Sequence, residues 1–304
     1  MDALSDILSL LKPASYMFRG IDAGGDWAVR FEAHRGMKCF AILSGQVWLA
    51  VDGVGEVLLK QGDCVLLPRG YGSRIGSAPE VPARDAWTVF PAVAEGGVVT
   101  INDGGDAIGL GGFFAFDNFH ADMLMKLLPP IVHICEEADR AALRGAIERI
   151  MLELRTPQPG GFLVAQHLAH LMLLLALRIV LAKGPDGGIG WIYPLGDRQL
   201  GAAMNALHGD PARKWTIQSL ADVAAMSRST FALRFRARVG ESPIDYLTRW
   251  RMLLAAERLL GSRDTIAVIA PSLGYDSDSA FSTAFKRVMG CAPRDYARQK
   301  ATAS

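Results

Sequence analysis

Very little in this chain could serve disulfide stapling or metal chemistry. Four cysteines, Cys39, Cys64, Cys135 and Cys291, are scattered through 304 residues with no C-x-x-C pair and no zinc-type spacing. That excludes a disulfide framework and predicts reduced, mostly buried thiols, with a redox pair of Cys39 and Cys64 open only if the fold joins them. Histidine is as sparse, and His34 is the only one in the first 119 residues. The others, His120, His133, His167, His170 and His208, offer no ligand spacing beyond His167 and His170 at i, i+3, which suits the polar edge of a packed helix. A basic leader is missing, since Asp2 and Asp6 stand where a secretory signal would be positive. The longest apolar run, Leu171–Leu177, stops at Arg178, too short to cross a bilayer. These absences predict a soluble, cytoplasmic protein with no membrane partner.

What is present is packed globular protein. Half the residues are hydrophobic and 21% are charged, over a length that suits two domains. The net charge of +1 hides an asymmetry: from Asp197 onward there are 16 Lys and Arg against 10 Asp and Glu, and before it 16 against 21. A basic tail on an acidic body fits a module that faces nucleic acid.

Three regions follow one another. Residues 1 to about 118 alternate in short runs, Phe40–Val51 and Val57–Leu67, broken at Ser44-Gly45, Asp52-Gly53 and Gln61-Gly62-Asp63. That pattern predicts short antiparallel strands joined by tight turns. Helices are expected at 137–155 and 161–182, separated by the breaker Thr156-Pro157-Gln158-Pro159-Gly160-Gly161. A Gly/Pro-rich linker over 183–196 then leads into continuous helices from 197 to 304.

The C-terminal region repeats itself with a period of 50: Phe231 and Phe235 return as Phe281 and Phe285, Gly240 as Gly290, Pro243 as Pro293, Tyr246 as Tyr296. Ser227 and Ser229 recur as Ser277 and Ser279, and Arg236 as Lys286. Ala221 and Ala225 return one residue sooner, as Ala270 and Gly274, so the second turn is longer by one. Each copy reads as helix, turn, helix, at 216–239 and 265–289, with Ser227 and Ser277 as N-caps of the second helices. Ser242-Pro243 opens a connecting helix over 244–260, with Gly261 as its stop. About 17 residues span roughly 25 Å, comparable to the ~34 Å between successive major-groove faces. Pro271 falls inside the first helix of the second copy, where a kink is expected.

At about 100° per residue, Phe231 and Phe235 lie about 40° apart and mark the buried stripe. Ser229, Ala232, Leu233 and Arg236 then point outward, as do Ser279, Ser282, Thr283 and Lys286. Small groups can approach base edges while basic residues engage phosphates. The flanking Arg228, Thr230, Asp278 and Arg287 complete the DNA-facing set.

These motifs, Thr216-Ile-Gln-Ser-Leu-Ala…Met226-Ser-Arg-Ser-Thr-Phe…Phe235, Pro243-x-x-Tyr246-Leu, and Gly274-Tyr275…Phe281…Phe285-Lys286-Arg287…Gly290-x-x-Pro293-x-x-Tyr296, resemble the AraC/XylS family of bacterial regulators over about 110 residues. The resemblance implies base reading by Ser229, Ala232 and Leu233 in the first unit and by Ser279 and Thr283 in the second. Leu233 and Thr283 depart from the base-contacting Arg of many members, which shifts readout toward thymine methyls and DNA shape.

In the N-terminal half, Gly62-Asp63-Cys64-Val65-Leu66-Leu67-Pro68-Arg69-Gly70-Tyr71-Gly72-Ser73 resembles the second cupin motif, with Ser73 in place of the metal-binding histidine. With His34 alone upstream, a three- or four-ligand metal set cannot be assembled, so neither a metal nor another cofactor is expected. The resemblance suggests a ligand pocket or a dimer scaffold, with His34, Cys39, Trp48, Arg69, Ser73, Arg74 and Trp87 as candidate ligand-binding residues. Arg74 would suit an anionic effector.

The expected architecture is therefore α+β in two domains. A cupin-like antiparallel β-barrel with a helical hairpin occupies 1–182, and an all-α double helix-turn-helix occupies 197–304. The expected function is a DNA-binding transcription regulator, not an enzyme, controlled by a small ligand or stress signal. Its expected partners are operator DNA, a second copy through the 137–182 helices, an unidentified effector and RNA polymerase. A cupin isomerase or dioxygenase fused to a DNA-binding tail, and a protein-binding adaptor, are the competing readings.

Overall fold

The alternating runs of the N-terminal region fold as strands in the computed structural model, which describes residues 3, 5–6, 15–90, 97–116, 125, 128–182, 196–262 and 264–301. Two units separate: Leu11–Ala182, and Lys183–Ser304 together with Met1–Leu10. All but the last residue of the expected 183–196 linker lies outside the described residues, as does His120.

In the first unit the strands are β1 (Ser15–Ala23), β2 (Ala28–Phe31), β3 (Met37–Ser44), β4 (Gln46–Val51), β5 (Gly55–Lys60) and β6 (Cys64–Leu67). They continue with β7 (Ser73–Gly76), β8 (Arg84–Asp85), β9 (Val98–Ile101), β10 (Ala107–Ala115) and β11 (Val132–Ile134). A short helix, α1 (Ala86–Val89), follows β8. Instead of one closed antiparallel barrel, the described strands form two sheets, ordered β11-β6-β3-β10-β1-β9 and β5-β4-β7-β2-β8. The pairs β1·β9 and β2·β8 run parallel. Three of the four edge strands, β8, β9 and β11, have only two to four residues. Gly45 alone connects β3 to β4 at φ 75°, and a Cβ there would lie 2.1 Å from the Asp106 carbonyl oxygen.

Ile21, Val29, Phe40, Ile42, Leu49, Val65, Leu67 and Ile75 fill the space between the sheets. The outer face of the larger sheet is covered by α2 (Glu137–Arg155) and α3 (Gly161–Ala182). For that reason β6 is buried at every residue. Asp63, just before β6, is sealed from solvent and ties sheet to helix: it accepts from Lys60 N at 2.9 Å, Arg140 Nη2 at 2.6 Å and His133 Nε2 at 3.0 Å. Burial would raise its pKa, but these three partners together hold it below the usual carboxylate range. α3 is more apolar than its longest run suggests: Gly161–Val180 has a mean hydropathy of 1.8, long and apolar enough by composition to cross a membrane. Here one face of it packs on α2 and the sheet.

In the second unit, α4 (Arg198–Gly209) is followed by α5 (Ile217–Val223), α6 (Arg228–Val239), α7 (Pro243–Gly261), α8 (Ile266–Ser272), α9 (Asp278–Met289) and α10 (Pro293–Ala301). Thr216 and Ser219 form a capping box at α5, and Ser242 caps α7 ahead of Pro243. α7 ends at Gly261, and Ser262 satisfies the last turn by donating from both N and Oγ to the Arg258 carbonyl. Pro271 does not shorten α8, which keeps the seven residues of α5. It sits in the last turn, and the Leu273 and Gly274 amides close that turn on the Ala270 and Pro271 carbonyls.

Candidate nucleic-acid interface

The second helices of the two units, α6 and α9, are built alike. Ser227 Oγ accepts from Thr230 N at 3.3 Å and Ser277 Oγ from Ala280 N at 3.2 Å, while Gly240 and Gly290 end the helices in the left-handed region. Phe231, Phe235, Phe281 and Phe285 are completely buried, each pair in ring contact within its own helix. Burial of two rings per helix, worth on the order of 2 kcal/mol each, fixes the rotation of the helix about its axis.

That rotation settles the opposite face. Arg228, Ser229, Thr230, Leu233 and Arg236 are exposed and Ala232 is half-buried. In the second helix Asp278, Ser279, Thr283, Lys286 and Arg287 are exposed and Ser282 is half-buried. Leu233 is 74% exposed, a large apolar side chain held in water at the centre of the outward face. Thr283 Oγ1 donates to the Ser279 carbonyl at 2.9 Å, one helical turn back. The N-termini differ in sign: Arg228 opens α6 and Asp278 opens α9, the latter favourable to the helix dipole.

Side chains that the repeat does not announce hold the two copies. Arg251, on the connecting helix, donates from Nε to the Pro211 carbonyl at 2.6 Å and from Nη2 to the Arg213 carbonyl at 2.9 Å. Its guanidinium also lies over the Tyr275 ring, 5.6 Å from the centroid. One residue thus braces the approach to the first unit against the turn of the second. Lys214 Nζ reaches Asp276 at 3.0 Å across the same junction, and Arg234 Nη2 pairs with Asp197 at 2.8 Å, fixing α6 to the N-cap of α4. Arg234 has Ala284 as its counterpart and Arg251 lies outside the matched positions, so no spacing in the sequence marks either.

The candidate ligand residues of the first unit are dispersed. Ser73 is fully buried and faces the core with Ile75, whereas Arg74 points to the other side and donates to the Ala78 and Val81 carbonyls. Arg69 donates from Nη2 to the Leu128 carbonyl at 2.8 Å. Trp48 lies on the face opposite Val47 and Leu49, and Trp87 is 78% exposed on α1, so neither shares a cavity with Ser73. His34 packs on Phe113 at 5.1 Å, and burial, helped by the Lys38 charge, pushes its pKa down to about 4. Cys39 and Cys64 are both buried, but the register pairs Cys39 with Leu66 and Cys64 with Ala41, a diagonal separation of about 7–8 Å that a disulfide does not span. Burial raises both thiols, Cys64 to about 12. Cys135 is exposed and Cys291 is half-buried, so two of the four thiols are fully buried. Among the described residues no group of three His, Cys, Asp or Glu is arranged to hold a metal ion.

Both halves of the chain resemble known proteins. Residues 2–182 match a family described as Cupin, and residues 220–299 match one described as Helix-turn-helix domain. An AraC-like transcription regulator of Streptomyces lividans is 44% identical over 97% of this chain and 98% of its own length. The HTH-type transcriptional regulator AlkR of Acinetobacter baylyi is 30% identical over 98% of this chain and 100% of its own. Among solved structures, the DNA-binding domain of the global transcriptional factor AdpA, in complex with a target DNA, is 27% identical over 34% of this chain and 93% of its own, with a TM-score of 0.33. With a cupin region followed by two capped helix-turn-helix units on one connecting helix, the chain belongs to the AraC-like family of transcription regulators.

Proposed function

We propose that one chain reads an asymmetric site of about two helical turns by placing α6 and α9 in successive major grooves. Ser229, Ala232 and Leu233 then face bases in one groove, and Ser279 and Thr283 in the next. Arg228, Arg236, Lys286 and Arg287 engage phosphates, with Thr230, Asp278 and Ser282 at the edges of the contact. The observation that carries this reading is the pair of phenylalanines buried behind each helix, which leaves the same small and basic positions outward in both copies. Leu233, apolar and exposed, suits a thymine methyl group.

The N-terminal region acts as the sensor of a small ligand or stress signal and as the seat of a homodimer, without catalysing a reaction. Val164 and Leu171 are exposed on α3, and Leu168, Leu175 and Ile179 continue the same stripe at helical spacing. A second copy packing along that stripe would bring two DNA readers together, and the signal would act by changing which half-sites can be held at once. The protein works in the cytoplasm at the nucleoid, with RNA polymerase as a further partner. Footprinting of bound sites, beginning with the protein's own promoter, tests the reading. Protection over about two turns that weakens steeply with added salt supports it, and binding indifferent to salt refutes it.

A further inference from the structure

Beneath the turn that joins α2 to α3, the first unit contains a cleft of about 200 Å³. Its walls are mostly apolar: Met17 and Phe18 from β1, Leu154 from α2, Phe162 and Ala165 from α3. By contrast the void between the two sheets, bounded by residues such as Trp27, Phe40 and Ile75, is about 20 Å³, room for little more than one water. Of these two spaces among the described residues, the one under the helical hairpin has room for a small molecule.

Among the described residues lining the cleft, one is charged. Glu153 has a side chain only 5% exposed, and its Oε1 is engaged by Arg149 Nη2 at 2.6 Å. Its other oxygen, Oε2, is turned toward Gly161, where a Cβ would approach to 2.7 Å. Gly161 is the first residue of α3, so the partial positive charge of the helix N-terminus also faces this carboxylate. With Arg149 and the helix end already meeting its charge, a ligand cation would gain little there. A neutral donor entering the cleft would give Oε2 a charge-assisted hydrogen bond.

We propose that this cleft is a binding site for a neutral, mainly apolar molecule of about single-ring size that donates one hydroxyl to Glu153 Oε2. The cleft is below the ~300–1,000 Å³ of drug-sized sites, which sets the compact size. Sulfur and ring edges of Met17, Phe18 and Phe162 suit an aromatic body. This names a site and ligand class for the signal input proposed above. Because the cleft lies at the turn leading into α3, its occupant would touch the helix whose outer stripe is assigned to pairing.

Phenol is a suitable probe, with benzene as the control that lacks the hydroxyl. Titrated into the full chain and followed by calorimetry and by ligand-observed NMR, phenol is expected to bind saturably at one site. Benzene is expected to bind weaker by on the order of tenfold, a difference that E153Q removes. Ala165→Met, which fills the cleft from α3, and Met17→Trp, which fills it from the half-exposed rim, are expected to abolish binding. Met17→Trp decides the matter should Ala165→Met not fold, and the melting temperature of each variant is recorded. Failure of phenol to bind the folded chain, or binding that survives both filling substitutions, overturns the proposal. Operator binding is measured on the same samples, so loss of the ligand site and failure of the DNA reading are told apart.

Discussion

The ring of Tyr246 stands edge-on to that of Phe235, with centroids 5.8 Å apart and planes at 72°. Fifty residues later, Tyr296 meets Phe285 at 5.6 Å and 79°. The duplication thus extends from α6 and α9 into the helix that follows each of them. The two tyrosines differ in one respect: the Tyr246 hydroxyl lies 2.7 Å from His208 Nε2, whereas the buried Tyr296 hydroxyl has no hydrogen-bond partner among the described residues. Tyr246→Phe is therefore expected to cost about 1–3 kcal/mol, since it leaves a buried imidazole nitrogen unpaired. Tyr296→Phe is expected to change stability by less than about 0.5 kcal/mol. Chemical denaturation of the two variants checks the asymmetry, and equal losses would contradict it.

His208 also makes the second unit sensitive to acid. Burial among Tyr246 and Trp250 pushes its pKa down from 6.5 to about 3. The unfolded chain takes up a proton near pH 6.5 while the folded chain resists until about 3. Stability is thus complete above pH 6.5 and falls as the pH drops below it, at a rate approaching about 1.4 kcal/mol per pH unit. Urea midpoints at pH 7.5 and 5.5 should differ more for the natural chain than for His208→Gln. Equal differences would show that His208 is not the group responsible.

The corners of the two helix-turn-helix units predict opposite responses to the same pair of residues. Ala225 sits at φ 51° and its counterpart Gly274 at φ 79°. Ala225→Gly relieves left-handed strain of about 1–2 kcal/mol against a loss of up to about 1 kcal/mol in chain entropy, so a small stabilisation is expected. Gly274→Ala adds strain and drives a Cβ to 2.2 Å from the Ala212 carbonyl oxygen, so a loss above about 2 kcal/mol is expected. Thermal melts of both variants test this.

Thiol labelling of the native protein should be fast at exposed Cys135 and absent at Cys39 and Cys64 until the chain unfolds. Burial keeps the last two protonated, and their diagonal register keeps them apart. A Cys39–Cys64 disulfide in oxidised, folded protein would contradict the register.

What could be read from the sequence was local or repeated. The caps at Ser227, Ser242 and Ser277 act within one helical turn, and the phenylalanine pairs lie one turn apart and recur at a fixed interval. The parallel pairings of β1 with β9 and β2 with β8 join distant segments that carry no complementary pattern. The cupin-like motif marked Ser73 and Arg74 together, but strand alternation turns one inward and the other out, and a motif carries no facing until the register is known. Asp63 is bound by Arg140 and the linking helix is braced by Arg251 through backbone carbonyls, contacts that depend on tertiary placement alone. The cleft at Glu153 is made by three elements meeting and leaves no trace in any one of them.

Three variants compared on specific and random duplexes across a salt series test whether the outward faces of α6 and α9 read DNA. Arg236→Ala is expected to weaken binding to every sequence and to lower the salt slope by about one unit, as loss of one phosphate contact requires. Ser279→Ala and Thr283→Ala are expected to keep random-sequence affinity and change the preference among sites. Undiminished random-sequence affinity in Arg236→Ala, together with unaltered site preference in the other two, would contradict the account.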